Sequence, residues 1–209
     1  IDAKQLANMM IGRELIPCSY EKKEVPFDPV LKLNDIKYHE HSKHNGLAGI
    51  SLEVKPGEIV GIAGVDGNGQ TQLAQIITGV ISPEHGSMNL AGKTISTYDP
   101  FDFISSGVAH VPEDRNLQGL IGDMSIADNL VLKSTDTEQF SKGKGLLLKK
   151  KEINAYADQL ITKYDVRCTS IGQQVRSLSG GNQQKVILAR EIECKPSLLV
   201  VVHPTRGLD

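Results

Sequence analysis

The clearest pattern in the chain is an apolar run that ends in glycines and is followed by helical spacing. Residues 58–63 are mostly apolar and follow a Pro-Gly turn signal, which predicts a buried strand. Residues 72–78 place their apolar side chains on one helical face, and Gly79 ends that helix. Residues 64–71 therefore predict a loop between a strand and the first turn of a helix.

The remaining pattern predicts a mixed α/β chain with a helical insertion. We expect an N-terminal helix at 2–12, a charged linker at 21–29, an antiparallel sheet from 31–36, 50–54 and 87–90, a short helix at 99–107, and strands at 108–111 and 198–202. Residues 125–164 are mostly helical with a polar interruption at 134–145, so they predict an inserted helical subdomain.

Composition limits the classes of protein to which the chain can belong. Its 209 residues, 39% of them apolar, suffice for one well-packed α/β core. The net charge of -2 argues against a broad nucleic-acid-binding face, and no apolar run has the length of a membrane span. Cys18, Cys168 and Cys194 have neither metal nor disulfide spacing, which fits a reducing cytosol. The first residue is Ile1 and no signal peptide is present, so we expect a fragment of a longer protein.

The loop at 64–71 has the composition of a phosphate-binding loop. Gly64 and Gly69 are separated by four residues, and Thr71 follows shortly after. Such glycines allow backbone N–H groups to face inward, and the helix N-terminus adds partial positive charge, so the loop can hold phosphate while Thr71 binds Mg²⁺. Gln70 stands where this kind of loop has lysine. A glycine-rich turn without a ligand is the alternative interpretation.

A second anion-facing segment is predicted at residues 179–182. Ser179 and two glycines precede a helix with apolar positions that include Val186 and Leu188. This order leaves backbone N–H groups exposed at a helix start. The alternative is a plain turn in which Ser179 caps the helix.

The order of four segments resembles the ATP-binding cassette (ABC) family. The segments are GVDGNGQT at 64–71, VPEDR at 111–115, LSGGNQQK at 178–185 and PTRGLD at 204–209. Each segment is weak evidence alone, and the ordered set is specific. More narrowly, the segments look like the second cassette of the double-cassette ATPases that energise importers of simple sugars and nucleosides.

The resemblance implies an α/β fold with a P-loop NTPase (RecA-like) core, a small antiparallel β subdomain and an inserted α-helical subdomain, truncated at the C-terminus. Residues 31–209 would form this incomplete nucleotide-binding domain, with the helical subdomain at about 115–180. Residues 1–30 would be the tail of a preceding cassette and a linker. The missing last strands would leave an open sheet edge or exposed apolar surface.

The resemblance also implies ATP and Mg²⁺ as cofactors and assigns residues to them. The nucleotide-contacting residues would be Gly64, Val65, Asp66, Gly67, Asn68, Gly69, Gln70, Thr71, Gln72, Glu113, Ser179, Gly180, Gly181 and Asn182. Residues 179–182 would face the γ-phosphate of ATP on the opposite cassette. Thr71 and Glu113 would contact the metal, with a solvated loop as the alternative for Glu113. His203 occupies the position of the family's catalytic glutamate, where an imidazole can accept a proton but brings no negative charge.

The implied partners are the other cassette of the same polypeptide, transmembrane permease subunits and, indirectly, a substrate-binding protein. No nucleic-acid partner is implied. The implied location is the cytoplasmic face of the plasma membrane, as a peripheral protein.

Three chemical positions depart from the family pattern. Gln70 replaces the loop lysine, Val202 replaces the aspartate that holds Mg²⁺ through water, and His203 replaces the glutamate that polarises water. Losing a charge-assisted contact should weaken nucleotide binding by about 1–2 kcal/mol, or tenfold. Hydrolysis is more sensitive, since one cationic group contributes roughly 10³–10⁵ in rate. We therefore expect a degenerate site of its own, negligible hydrolysis by the isolated chain, and an intact segment 179–182 that completes the partner cassette's site.

Two other functional classes and three weaker signals stay open. A soluble ABC ATPase acting on DNA or ribosomes would share the motifs but predicts a basic face, and a non-catalytic ATP-sensing module is the other alternative. Tyr38 either stacks on adenine or packs across the sheet. His39, His41 and His44 are spaced closely enough to suggest a metal site, but no Cys lies nearby. The lysine run at 149–151 predicts a solvated charged face.

Overall fold

The computed structural model describes residues 28–39, 46–65 and 67–204. Its first layer is a four-stranded antiparallel sheet in the order β2-β1-β3-β4. The strands are β1 (Leu31–His39), β2 (Gly46–Val54), β3 (His85–Leu90) and β4 (Lys93–Thr94). Leu33 of β1 pairs with Leu52 on one side and Met88 on the other. The predicted antiparallel sheet is confirmed, with longer strands than the alternating stretches indicated.

The other elements form helices and two strand pairs. The helices are α1 (Gln70–Ile77), α2 (Pro100–Ser105), α3 (Ile126–Val131), α4 (Lys150–Lys163) and α5 (Gly180–Glu193). Strand β5 (Val108–Val111) pairs in parallel with β8 (Leu198–Val201), and β6 (Ser141–Lys142) pairs with β7 (Leu147–Leu148) as a hairpin. A π-helical turn spans Arg115–Gly119, and 3₁₀ turns span Leu132–Ser134 and Val175–Ser177.

One hydrophobic core lies between the antiparallel sheet, α1 and the parallel strand pair. Ile76 of α1 and Met88 of β3 are fully buried in it. Gly79 ends α1 with a positive φ of 76°, a conformation that glycine adopts without strain. A Cβ at Gly79 would also collide with the ring of Phe103. The packing of α2 therefore requires a glycine at the end of α1.

A second hydrophobic core is helical. Ile126, Ile153 and Ile187 come from α3, α4 and α5 and are fully buried together. Val111 of β5 belongs to this core, whereas Val108 belongs to the first, so β5 contributes to both. The chain between 125 and 164 thus contains the expected helices. The polar interruption contains β6, and β7 follows directly after it. The division of the chain at 30 and 31, and the subdomain limits of 115 and 180, stay predictions. No helix in the described part combines the length and apolarity that a membrane span requires.

The predicted buried strand at residues 58–63 is wrong. These residues form no strand, and the side chains of Ile59 and Ile62 are 85% and 54% exposed. They line an open cleft of about 530 Å³ that β8 also lines. A strand is stabilised by hydrogen bonds to a neighbouring strand, and a run of apolar side chains cannot reveal whether that neighbour is present. Ile59 and Ile62 thus leave exposed apolar surface at this cleft.

Candidate functional site

The phosphate loop, residues 64–71, leads into the first turn of α1, which contains Gln70 and Thr71, as the sequence predicts. Gly67 and Gly69 have positive φ values of 87° and 91°, which only glycine adopts easily. A Cβ at Gly69 would lie 2.8 Å from the carbonyl oxygen of Gly46, so β2 also requires glycine there. The loop is mostly exposed, and α1 begins without a side-chain cap. Asp66 lies outside the described residues.

Gln70 folds back over this loop. Its Nε2 donates a hydrogen bond to the carbonyl oxygen of Val65 at 3.2 Å, and the backbone N–H of Asn68 donates to the same oxygen at 3.3 Å. The Gln70 amide also occupies the space that a Cβ at Gly64 would need. The residue in the lysine position thus joins the two ends of the loop. A neutral amide in this position adds no positive charge to a phosphate site.

The two predicted metal contacts lie together in one small cavity. Thr71 at the start of α1 and Glu113 after β5 line a space of about 100 Å³, and Val202 after β8 lines it too. The carboxyl ends of β5 and β8 meet here because the strands are parallel. The other lining residues, which the sequence analysis does not single out, are Ala74, Gln75, His110, Asp114 and Gln118.

Among the cavity residues that no sequence motif indicates, His110 has an unmet hydrogen-bonding group. Its Nε2 is buried and has no hydrogen-bond partner among the described residues. Burial lowers the pKa of His110 below its ordinary value of 6.5, and the charge of Lys133 lowers it further against the opposing effect of Glu191. Burial thus favours the neutral form of the His110 imidazole. Its place at the carboxyl end of a core strand was the available sequence signal.

A buried ion network supports this wall of the cavity. Glu191 is fully buried and forms ion pairs with Lys133 at 2.7 Å and with Arg190 at 2.9 Å. It also accepts a hydrogen bond from the backbone N–H of His110 at 3.2 Å. Arg190 Nη2 donates to the carbonyl oxygen of Gly119 at 2.8 Å, which connects α5 to the loop that contains Glu113. The cavity wall is therefore held by the buried Glu191 and Arg190, together with Lys133, whose side chain is 21% exposed.

The signature segment, residues 179–182, forms the start of α5. Ser179 is the N-cap residue, yet its side chain does not cap the helix. Ser179 Oγ instead accepts a hydrogen bond from Asn182 Nδ2 at 2.9 Å, and Asn182 Oδ1 accepts one from the backbone N–H of Arg167. The plain serine-capped turn is thus not what the structure contains. The first backbone N–H groups of α5 therefore have no side-chain cap.

Arg115 connects the loop after β5 to the signature segment. Its Nε donates to Gln183 Oε1 at 3.2 Å, and its Nη2 lies 2.5 Å from the position that a Cβ on Gly180 would take. Gly180 is therefore needed for this close approach. The same short loop contains Glu113, so one segment contacts both the cavity and the start of α5.

The remaining predicted residues that the structure describes do not line this cavity. His203 is exposed, has a positive φ of 48° and does not line the cavity. Gln72 lies partly exposed on α1. Tyr38 pairs with Leu47 and packs against the first core, as the cross-strand interpretation expects. His39 Nδ1 contacts Glu84 Oε2 at 2.7 Å, whereas His41 and His44 lie outside the described residues.

The cavity fits part of a magnesium site. The hydroxyl of Thr71 and the carboxylate of Glu113 are oxygen donors of the kind that Mg²⁺ prefers, whereas Val202 supplies none. Within the described residues, no group of three His, Cys, Asp or Glu side chains is arranged to hold a metal. A magnesium ion here would therefore need oxygens from a bound phosphate, which is how proteins commonly hold it.

Comparisons with known proteins agree with the resemblance to the ABC family. The sequence pattern of the family described as ABC transporter matches residues 47–206. The chain is 42% identical to the nucleoside import ATP-binding protein NupA of Lactococcus lactis subsp. cremoris (strain MG1363), over 99% of this chain and 40% of that protein. It is 39% identical to the glucose import ATP-binding protein TsgD13 of Haloferax volcanii, over 100% of this chain and 38% of that protein. The chain thus spans about two fifths of the length of these curated relatives.

A solved structure shows the same fold. The ATP-binding cassette MJ0796, a dimer in a post-hydrolysis state bound to ADP and Pi, matches 86% of this chain and 76% of its own chain. The TM-score is 0.68 at 21% sequence identity. The predicted α/β P-loop fold with an antiparallel β subdomain is therefore confirmed. The match of residues 47–206 to the family pattern covers most of the chain, which therefore belongs to the ABC transporter family as an ATP-binding domain.

Proposed function

We propose that this chain is the second nucleotide-binding domain of a double-cassette ATPase that energises import of a simple sugar or a nucleoside. Relatives named as nucleoside import and glucose import ATP-binding proteins support this substrate class. Membership of the ABC transporter family supports ATP binding. The observation that carries the proposal is the pairing of an uncapped signature helix with a phosphate loop closed by Gln70.

The chain's own nucleotide site binds without hydrolysing. Backbone N–H groups of the loop at 64–71 would hold phosphate oxygens at the start of α1, and Thr71 and Glu113, which line one cavity, would hold Mg²⁺ together with those oxygens. Gln70 uses its amide to close the loop instead of neutralising phosphate charge. Val202 has no ligand atom, and His203 lies outside the cavity lining. Binding loses about one charge-assisted contact, whereas phosphoryl transfer loses the groups that stabilise its transition state.

The signature segment serves the partner cassette. The uncapped N-terminus of α5 has free N–H groups and a positive helix dipole, both of which favour an anion. Ser179 is exposed and available to a nucleotide bound on a facing cassette. The γ-phosphate on the partner is the anion that this arrangement receives. MJ0796, which shares the fold, was solved as a dimer bound to ADP and Pi.

Partners and location follow from this role. Permease subunits bind the cassette pair at the cytoplasmic face of the plasma membrane, and a substrate-binding protein acts through them. Nucleic acid is not a partner, in keeping with the chain's net charge of -2.

A substitution at Ser179 tests the proposal without removing a helix cap. Aspartate is a good N-cap residue, so Ser179→Asp should leave the melting temperature unchanged or higher. Its carboxylate would occupy the anion position, so ATP turnover by the full-length polypeptide assembled with its permease should fall at least roughly 100-fold. Ser87→Asp is the matched control, since Ser87 is an exposed residue of β3 far from α5 in sequence. It should retain turnover.

Substitution at Gln70 completes the test. Gln70→Ala should reduce turnover much less than Ser179→Asp, because the main hydrolytic site belongs to the partner cassette. Equal losses in both variants would refute the division of labour. Substrate import that survives Ser179→Asp would favour a regulatory ATP-sensing module. Turnover that depends on DNA or ribosomes and not on permease would favour a soluble ABC ATPase.

A further inference from the structure

Three consecutive leucines are exposed on the β6-β7 hairpin. We call residues 141–149 the leucine hairpin. Leu146 is 89% exposed, Leu147 64% and Leu148 36%. Single exposed apolar residues are common on proteins, but a contiguous group of large ones usually marks an interaction surface.

The leucine hairpin is fixed by packing and by backbone hydrogen bonds. Phe140, directly before the hairpin, is buried in the helical core and packs on Tyr156 with 5.0 Å between ring centroids. The backbone N–H of Lys149 donates to the carbonyl oxygen of Phe140 at 2.8 Å, which closes the base of the hairpin. The N–H of Gly145 donates to Ser141 Oγ at 2.8 Å, which closes the turn. The first strand of the hairpin is therefore anchored beside the buried Phe140 and the second is bonded back to it, which leaves the leucines exposed.

Lysines surround the leucines. Residues 136–151 contain five lysines and two acidic residues, a net charge of +3 in a chain whose total is -2. Lys149 donates to the carbonyl oxygen of Glu138, and Lys150 forms an ion pair with Asp128 at 2.8 Å. Within the described residues, Lys142, Lys144 and Lys151 are exposed and form no ion pair. Positive charge is thus concentrated around an apolar tip.

We propose that the leucine hairpin binds the surface of an anionic lipid bilayer. Leucine side chains can enter the boundary between headgroups and acyl chains, while lysine ammonium groups remain at the level of the lipid phosphates. A protein partner is the less favoured occupant, because protein interfaces are rich in aromatic residues and Arg and poor in Lys. The hairpin has no aromatic residue and no Arg; apart from Ser141 and two glycines it consists of lysines and leucines. None of the hairpin residues lines the cavity that contains Thr71 and Glu113.

Vesicle sedimentation tests the proposal. The purified full-length polypeptide is mixed with phosphatidylcholine vesicles, with or without 30% phosphatidylglycerol, at low and high salt. We expect binding to the anionic vesicles, little binding to the neutral ones, and weaker binding at high salt. Leu146→Ser with Leu147→Ser, and separately Lys142→Glu with Lys144→Glu, should each weaken binding roughly tenfold or more. The matched control combines Val80→Ser and Lys93→Glu, which change an exposed apolar residue and an exposed lysine elsewhere, and should bind like the unchanged protein.

Several outcomes would overturn the proposal. The unchanged protein could fail to bind anionic vesicles, or either hairpin variant could bind them as well as the unchanged protein does. The control variant could also lose as much vesicle binding as the hairpin variants. Hairpin variants that bind vesicles normally but no longer assemble with permease in detergent would show that the hairpin contacts protein. ATP turnover in detergent should be unaffected by the hairpin variants and lost in Ser179→Asp, so this proposal and the proposed function can fail separately. Circular dichroism spectra confirm that each variant is folded.

Discussion

The side-chain amide of Gln70 donates a hydrogen bond to the carbonyl oxygen of Val65, at 3.2 Å, across the phosphate loop. This contact explains how a loop without lysine keeps its shape. A lysine could not donate to Val65 and reach a phosphate at once without moving. Gln70 therefore exchanges a phosphate contact for a contact within the loop.

Replacing Gln70 by lysine should strengthen nucleotide binding at this site. Adding the charge should raise affinity for ATP by about 1–2 kcal/mol, or tenfold. Hydrolysis should stay low because Val202 still supplies no carboxylate. The measurement is titration with a fluorescent ATP analogue, in a full-length protein whose other cassette has lost its phosphate-loop lysine. Gln70→Ala is the control for loss of the tie to Val65. Unchanged affinity in Gln70→Lys would show that the loop does not receive phosphate.

Adding a methyl group at Gly180 should disturb the signature segment through Arg115. The guanidinium must shift because Nη2 lies 2.5 Å from the new Cβ, and this shift strains the hydrogen bond from Nε to Gln183. Because the end of the Arg115 side chain can move, we expect Gly180→Ala to lower ATP turnover by roughly tenfold at most. In an Arg115→Ala background the same change should have little effect. Equal effects in both backgrounds would contradict the role of Arg115. Gly172→Ala, where a Cβ meets only Ser170 Oγ at 3.8 Å, is the control.

Removing the charge of Glu191 should destabilise the protein severely. Lys133 and Arg190 would lose their partner, and Arg190 is only 4% exposed. Breaking a buried ion pair from one side typically reduces the free energy of unfolding by about 3–5 kcal/mol. Urea denaturation of Glu191→Gln measures the loss. Glu152→Gln, at an exposed residue in the first turn of α4, should change stability by less than about 1 kcal/mol. A small effect of Glu191→Gln would mean that water reaches this network.

His110 should make stability depend on pH below about pH 6.5. Burial lowers the pKa of His110 in the folded protein below 6.5, the ordinary value that applies to the unfolded chain. Between these two values the unfolded state binds the proton and the folded state does not, so stability falls as pH falls through that window. Above pH 6.5 no such loss occurs. The slope is at most about 1.4 kcal/mol per pH unit.

The measurement is urea denaturation of the unchanged protein and His110→Gln at several pH values between 5 and 8. The difference in slope between the two proteins should appear only below about pH 6.5. The pKa values of Asp128 and Glu193 are lowered from 3.8 and 4.5, so their contributions are lost at still lower pH and do not interfere. Parallel stability curves would show that His110 titrates normally.

Local patterns predicted the elements that depend on local interactions. The apolar spacing before Gly79 predicted α1, and alternation predicted the antiparallel sheet. The same reasoning failed for residues 58–63, because a strand depends on a neighbour that no local pattern describes. In the candidate site, Thr71 and Glu113 were predicted and do line one cavity. His110 was missed because its significance comes from burial of Nε2 and not from any motif.

The sequence by itself determined the order of motifs, the residue types at the phosphate loop and the signature segment, and hence the family, since these depend on which side chains are present. Only the tertiary structure decided that Gln70 closes its own loop and that Arg115 lies against Gly180. The same holds for the leucines at 146–148, which lie outside the core. The physical reason is that contacts and burial depend on distances between residues that are remote in the chain. The pattern of apolar residues along the sequence does not specify those distances.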